Sequence, residues 1–155
     1  MPTTSLRRKK SKGADDMGRV TTEAHIENLR DTWDAERGLI KPGDVRRVTI
    51  AEALVDTGAT FLSLPKKIIK ELGLDKCSEK RVMTSAGSRV AGVHGPVTLT
   101  IQGRSCTMDV LELPNSVPAL IGQLPLEALD FVVDLNQRKL IGNPAHGGEH
   151  IIECY

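Results

Sequence analysis

Asp56 stands at the end of an apolar run, Ala53-Leu54-Val55, and is followed at once by Thr57, Gly58, Ala59 and Thr60. The run reads as a buried strand, so the acid falls at its inner end, where an ionised carboxylate is costly without hydrogen bonds or a neighbouring charge. The next residues can supply those bonds. Gly58 lets the backbone turn back with amide N–H groups toward the acid, and the Thr57 hydroxyl can anchor the loop on a neighbouring backbone group. An acid held in this way is suited to moving protons to and from water or a carbonyl.

Other chemistry-bearing residues offer less. His146-Gly147-Gly148-Glu149-His150 has the spacing of a zinc-protease pattern, in which two histidines on one helix reach a metal. Asn143-Pro144 before it and Gly147-Gly148 within it oppose a helix, so neither a metal nor a cofactor is expected. Cys77, Cys106 and Cys154 are odd in number and at no metal-ligand spacing, which predicts reduced thiols. His25 reads as a surface-facing strand residue. Asp134 lacks a following Thr-Gly and reads as a turn residue.

A chain of 155 residues predicts one domain with a real core to carry Asp56. Aromatics are only 3%, so that core must be Val, Leu, Ile and Ala, which suits a small β-barrel. The formal net charge of +1 predicts neither a nucleic-acid nor a membrane partner. Residues 1–16 carry Arg7, Arg8, Lys9, Lys10 and Lys12 against Asp15 and Asp16 and read as a disordered basic tail, leaving 17–155 as the folded domain. Met17 is a second candidate start. No apolar run reaches membrane-spanning length and no signal peptide is recognisable, so a soluble, cytoplasmic protein is expected.

Alternation predicts strands over 18–28 and from Arg46 onward into the Asp56 loop. Residues 29–40 lack clean periodicity and read as an insertion with one irregular helical turn. Pro65, Ile68, Ile69, Leu72 and Gly73 predict a short helix over 65–72, with Lys66, Lys67 and Lys70 as its solvated side. Residues 96–102 and 105–113 form a hairpin about Gly103-Arg104, and two further strands meet around 135–137. The apolar Ile151-Ile152 reads as a terminal strand.

The string Leu54-Val55-Asp56-Thr57-Gly58-Ala59 resembles the active-site motif of aspartic proteases, and its single copy resembles the retropepsin-like branch. Two other stretches strengthen the likeness. Ala119-Leu120-Ile121-Gly122 leading into 123–129 is similar to that family's apolar-apolar-Gly strand and short helix. Residues 83–95, rich in Gly and Ser, have the composition of a mobile hairpin flap, although an ordinary hairpin turn explains them equally well. Together these features cover residues 45–144.

The resemblance implies a mainly β, retropepsin-like closed barrel with one or two short helices, acting as a homodimer. Peptide hydrolysis by this chemistry needs two neighbouring carboxylates, one ionised to take a proton from water and one protonated to polarise the scissile carbonyl. One chain offers one suitable acid, so two-fold symmetry must bring Asp56 of each subunit to the axis. By the same resemblance Asp56 is the catalytic acid/base, Thr57 locks the two loops and Gly58 gives close approach and an N–H. Ala59, Ser85, Ala86, Gly87 and Ser88 would contact a peptide or protein substrate. Terminal strands would help hold the dimer. Two alternatives stand beside this aspartic endopeptidase: a non-proteolytic retropepsin-like module for peptide binding or dimerisation, and a structural dimer that gathers partners through its basic tail.

Overall fold

The computed structural model describes residues 19–154, and the proposed tail at 1–16 lies outside them. Strand β1 (Val20–Asn28) buries Val20, Ala24 and Ile26 on one side and exposes His25, which meets Thr49 and Glu23, so alternation sets its two faces as expected. It pairs antiparallel with β2 (Arg47–Val55), the strand that delivers Asp56.

Between them lies an eight-residue helix, α1 (Leu29–Glu36), where the sequence predicts a single irregular turn. Its cause is polar. Buried Asn28 caps the helix by accepting from the Asp31 N–H, while its own amide donates to the Leu72 carbonyl at 2.8 Å. Asp31 is buried in turn and takes a two-pronged grip from Arg46, with Nε and Nη2 at 2.8 and 3.0 Å. That guanidinium holds the Asp31 carboxyl below the usual carboxylate range.

After the Asp56 loop come β3 (Leu62–Pro65) and α2 (Lys66–Glu71), the short helix expected there. Strands β4 (Asp75–Thr84) and β5 (Gly87–Ile101) form a long hairpin, and β6 (Arg104–Leu113) returns along β5. A two-residue strand, β7 (Leu120–Ile121), leads into α3 (Gln123–Leu129), and β8 (Phe131–Asp134) pairs with β9 (Lys139–Gly142). Three α-helices therefore stand where one or two were expected.

The main sheet runs β1-β2-β7-β3-β6-β5-β4, and an additional β1–β5 pairing closes it on itself. Six strands complete the ring, and β4 hangs outside it on β5. The interior is filled by Ile26, Leu62, Leu64, Leu99, Ile101 and Ile121, with Leu126 and Leu129 of α3 packed on. Each such buried side chain contributes about 1.5–3 kcal/mol. Phe131 is the aromatic member of that core, covered by the Arg104 guanidinium at 4.5 Å, whereas Trp33 is exposed.

The C-terminal segment differs from expectation. Ile151 and Ile152 form no strand and stay exposed. The Ile151 N–H instead donates to the Asp130 carboxylate, which also meets His146 Nδ1 at 2.6 Å.

Candidate active site

Strand β7 lies between β2 and β3, parallel to the first and antiparallel to the second. It thereby ties both arms of the intervening loop. The ascending arm is held where the Leu54 N–H donates to the Ala119 carbonyl and the Asp56 N–H to the Ile121 carbonyl at 3.0 Å. The descending arm is held by its carbonyls. Ala59, Thr60 and Phe61 accept from the N–H groups of Gln123, Leu124 and Gly122 at 2.8, 2.9 and 3.1 Å. The first turn of α3 has no side-chain cap, so these loop carbonyls satisfy donors that would otherwise be orphaned. Gly122 makes this possible: a Cβ there would stand 2.5 Å from the Phe61 oxygen and 2.7 Å from the Thr60 carbonyl carbon.

At the summit of the loop the Ala59 N–H closes a turn on the Asp56 carbonyl at 3.1 Å. Asp56 is half-buried, and its Oδ1 accepts from the Gly58 N–H at 2.9 Å. Among the described residues nothing donates to Oδ2, which leaves that oxygen for water or a second carboxyl group. Gly58 has an ordinary φ, so freedom to turn is not why a glycine stands there. A Cβ would lie 3.2 Å from Oδ1 of the acid, a tight contact that a carboxylate shift of a few tenths of an ångström would relieve. Thr57 is exposed, and its hydroxyl finds no hydrogen-bond partner among the described residues rather than anchoring on a backbone group.

Facing this turn, the β4–β5 hairpin ends in a tight tip in which Thr84 Oγ1 accepts from the Ala86 N–H and donates to the Gly87 carbonyl. Ser85, Ala86, Gly87 and Ser88 are all exposed there. Loop and hairpin together border a groove of about 410 Å³. Gly58, Ala59, Thr60 and Phe61 line one part, and the hairpin contributes Arg81, Val82, Met83, Thr84 and Arg89. Ala59 thus borders the groove, whereas the four tip residues lie beyond its lining. No motif in the sequence marks Arg81 or Arg89. Their positions follow from register: Arg89 pairs with Val82 on the face toward the groove, and Arg81 pairs with Val90, so its side chain leaves by the other face.

The remaining candidates are engaged elsewhere. Asp134 Oδ1 accepts from the Asn136 and Gln137 N–H groups and so shapes the β8–β9 turn. His146 lies between Asp130 and Glu153, and His150 Nε2 bonds the Ala128 carbonyl at 3.0 Å. Among the described residues no group of three His, Cys, Asp or Glu is placed to hold a metal, and no helix is long and apolar enough to cross a membrane.

Residues 42–124, which include the Asp56 loop, the hairpin and β7, match the family model for aspartyl proteases. The chain belongs to that family. Its Asp-Thr-Gly motif is similar to that of the retropepsin-like branch. Among solved structures, the solution structure of the simian foamy virus (mac) protease is similar to this aspartyl protease at a TM-score of 0.42 and 20% identity, covering 68% of this chain and 90% of that one. No curated protein matches the chain.

Proposed function

We propose that this family member is an aspartic endopeptidase whose catalytic centre is assembled from two copies of the chain. The observation that carries the reading is the state of Asp56. One carboxylate oxygen is fixed by the Gly58 N–H, the other takes no bond from the described residues, and the loop is bolted to β7 and α3. Asp134, the other acid weighed for the role, spends its oxygen on a turn. A second Asp56 must therefore come from a symmetric partner.

In such a dimer the two carboxyl groups hold one proton between them, as in aspartic proteases generally. The ionised member removes a proton from water, and the protonated member polarises the scissile carbonyl. Thr57 is exposed with an unused hydroxyl, which supports its role in locking the two loops across the axis. Gly58 supplies its N–H and the room for close approach. Ala59 borders an extended peptide, while Ser85, Ala86, Gly87 and Ser88 close over it and exclude water. Residues 17–155 form the protease domain in this reading, with 1–16 as a basic extension. Unpaired Cys77, Cys106 and Cys154 support a reducing, cytoplasmic setting.

The presence of a groove on a single protomer favours one further reading, a peptide-binding module without cleavage. Cleavage of a diverse peptide library separates the two. Asp56→Asn should lower kcat by roughly 10³-fold or more while leaving unfolding and dimer mass unchanged, pepstatin should inhibit the wild type, and specific activity should fall on dilution. Equal cleavage by wild type and Asp56→Asn would remove Asp56 from the mechanism.

A further inference from the structure

The groove beside the Asp56 turn carries charge of one sign. Its ionisable lining residues are Arg81 and Arg89, and no carboxylate joins them there. Neither guanidinium has an acidic partner among the described residues. The acid next along β6 is Glu112, but its carboxylate turns to His94 Nε2 at 3.5 Å, and only its backbone carbonyl reaches Arg89, at 3.3 Å. That single bond orients the Arg89 guanidinium and leaves other N–H donors of the fork unspent. Arg81 is exposed and pairs with Val90, so strand alternation turns its side chain to the opposite face of the hairpin from Arg89, which pairs with Val82. The surrounding wall is apolar, with Phe61, Val82, Leu111 and Leu113.

A forked donor beside an apolar wall matches a short alkyl stem ending in a carboxylate. We propose that this groove is a subsite for an acidic side chain of the substrate peptide, held by Arg89. The inference rests on the proteolytic reading for its position beside the scissile bond. The subsite's own chemistry rests on the Arg89 guanidinium.

Binding and cleavage test the two separately. Fluorescein-labelled decapeptides that differ only by Glu or Gln, scanned through each position, are titrated into the full-length Asp56→Asn protein and followed by anisotropy. At one position the Glu peptide should bind about tenfold tighter at low salt, and the advantage should shrink at high salt. Arg89→Glu should erase most of that preference without shifting thermal unfolding and should favour Lys at that position, whereas Arg81→Glu, on the opposite face of the hairpin, should leave most of it in place. Arg89→Lys, which keeps the charge and loses the fork, should retain part of it. In the wild type the same preference should appear in KM rather than kcat. Equal binding of Glu and Gln peptides at every position, or a preference that survives Arg89→Glu, overturns the subsite. Arginine-dependent binding without any cleavage by the wild type upholds the subsite and removes the protease reading, whereas cleavage indifferent to Glu does the reverse.

Discussion

Gly122 is demanded by its neighbours rather than by its backbone angles. At Gly122 the neighbour is the descending arm of the Asp56 loop, only 2.5 Å from where a Cβ would sit, and backbone cannot move aside as a flexible side chain can. Gly122→Ala should therefore push Asp56 away from its position, lowering kcat/KM by about a hundredfold and destabilising the fold by about 1–3 kcal/mol in urea unfolding. Gly43→Ala is the control, since an added methyl there meets nothing within 4 Å and should change stability by less than about 0.5 kcal/mol. Full activity in Gly122→Ala would show that the loop is not held as described. At this scale Asp56 was legible in the sequence because its flanking residue types are so constrained. The close fit at Gly58 was not, because it is with the carboxylate two residues earlier.

Among elements, what the sequence made legible was whatever repeats with a short period. Strand β1, the start of β2, the β5–β6 hairpin and α2 follow from alternation or one-sided apolar spacing. Helix α1 escaped because its stability comes from Asn28 and from Asp31 gripped by Arg46, partners that only the closed barrel brings together. The groove was legible on its loop side and hidden on its hairpin side, since register between β4 and β5 decides which residues border it. The C-terminal segment escaped for a related reason: polar anchors at the end of α3 override the β-propensity of Ile151 and Ile152.

Those anchors titrate. Burial acts to raise the Asp130 pKa, but hydrogen bonds from His146, the Ile151 N–H and Asn143 outweigh it and hold the carboxyl at about 2. Hydrogen bonds to Asp130 and then Glu153 raise the His146 pKa. Arg104 and His150 face the same corner but bond backbone carbonyls, of Asp130 and Ala128 respectively. The Asp130 contribution is present above its ordinary 3.8 and is lost as pH falls toward about 2. The His146 contribution is complete below its ordinary 6.5 and is lost as pH rises through the raised value. The difference in melting temperature between wild type and His146→Gln should thus be greatest between pH 3.8 and 6.5 and narrow on both sides. A difference constant from about pH 3 to 9 would mean that the cluster contributes no ionic stabilisation.

For the whole molecule, closure of the six-strand ring gives the Asp56 loop a support with no fraying side. Closure also concentrates one hazard. Among the described residues strand β4 pairs only with β5, so its outer flank there presents a row of unclaimed amides and carbonyls, the kind of surface on which foreign strands stack. Asp75, Lys76, Glu79, Lys80 and Arg81 punctuate that flank with charge, and a register shift between Lys76 and Ser78 distorts it. Such protection is electrostatic in part, and it weakens as the screening length contracts to about 3 Å near 1 M salt. Light scattering should then report reversible clustering at high ionic strength, strongest in a Lys76→Thr/Lys80→Thr variant, and scattering flat with salt in both proteins would mean that shape alone keeps neighbours apart.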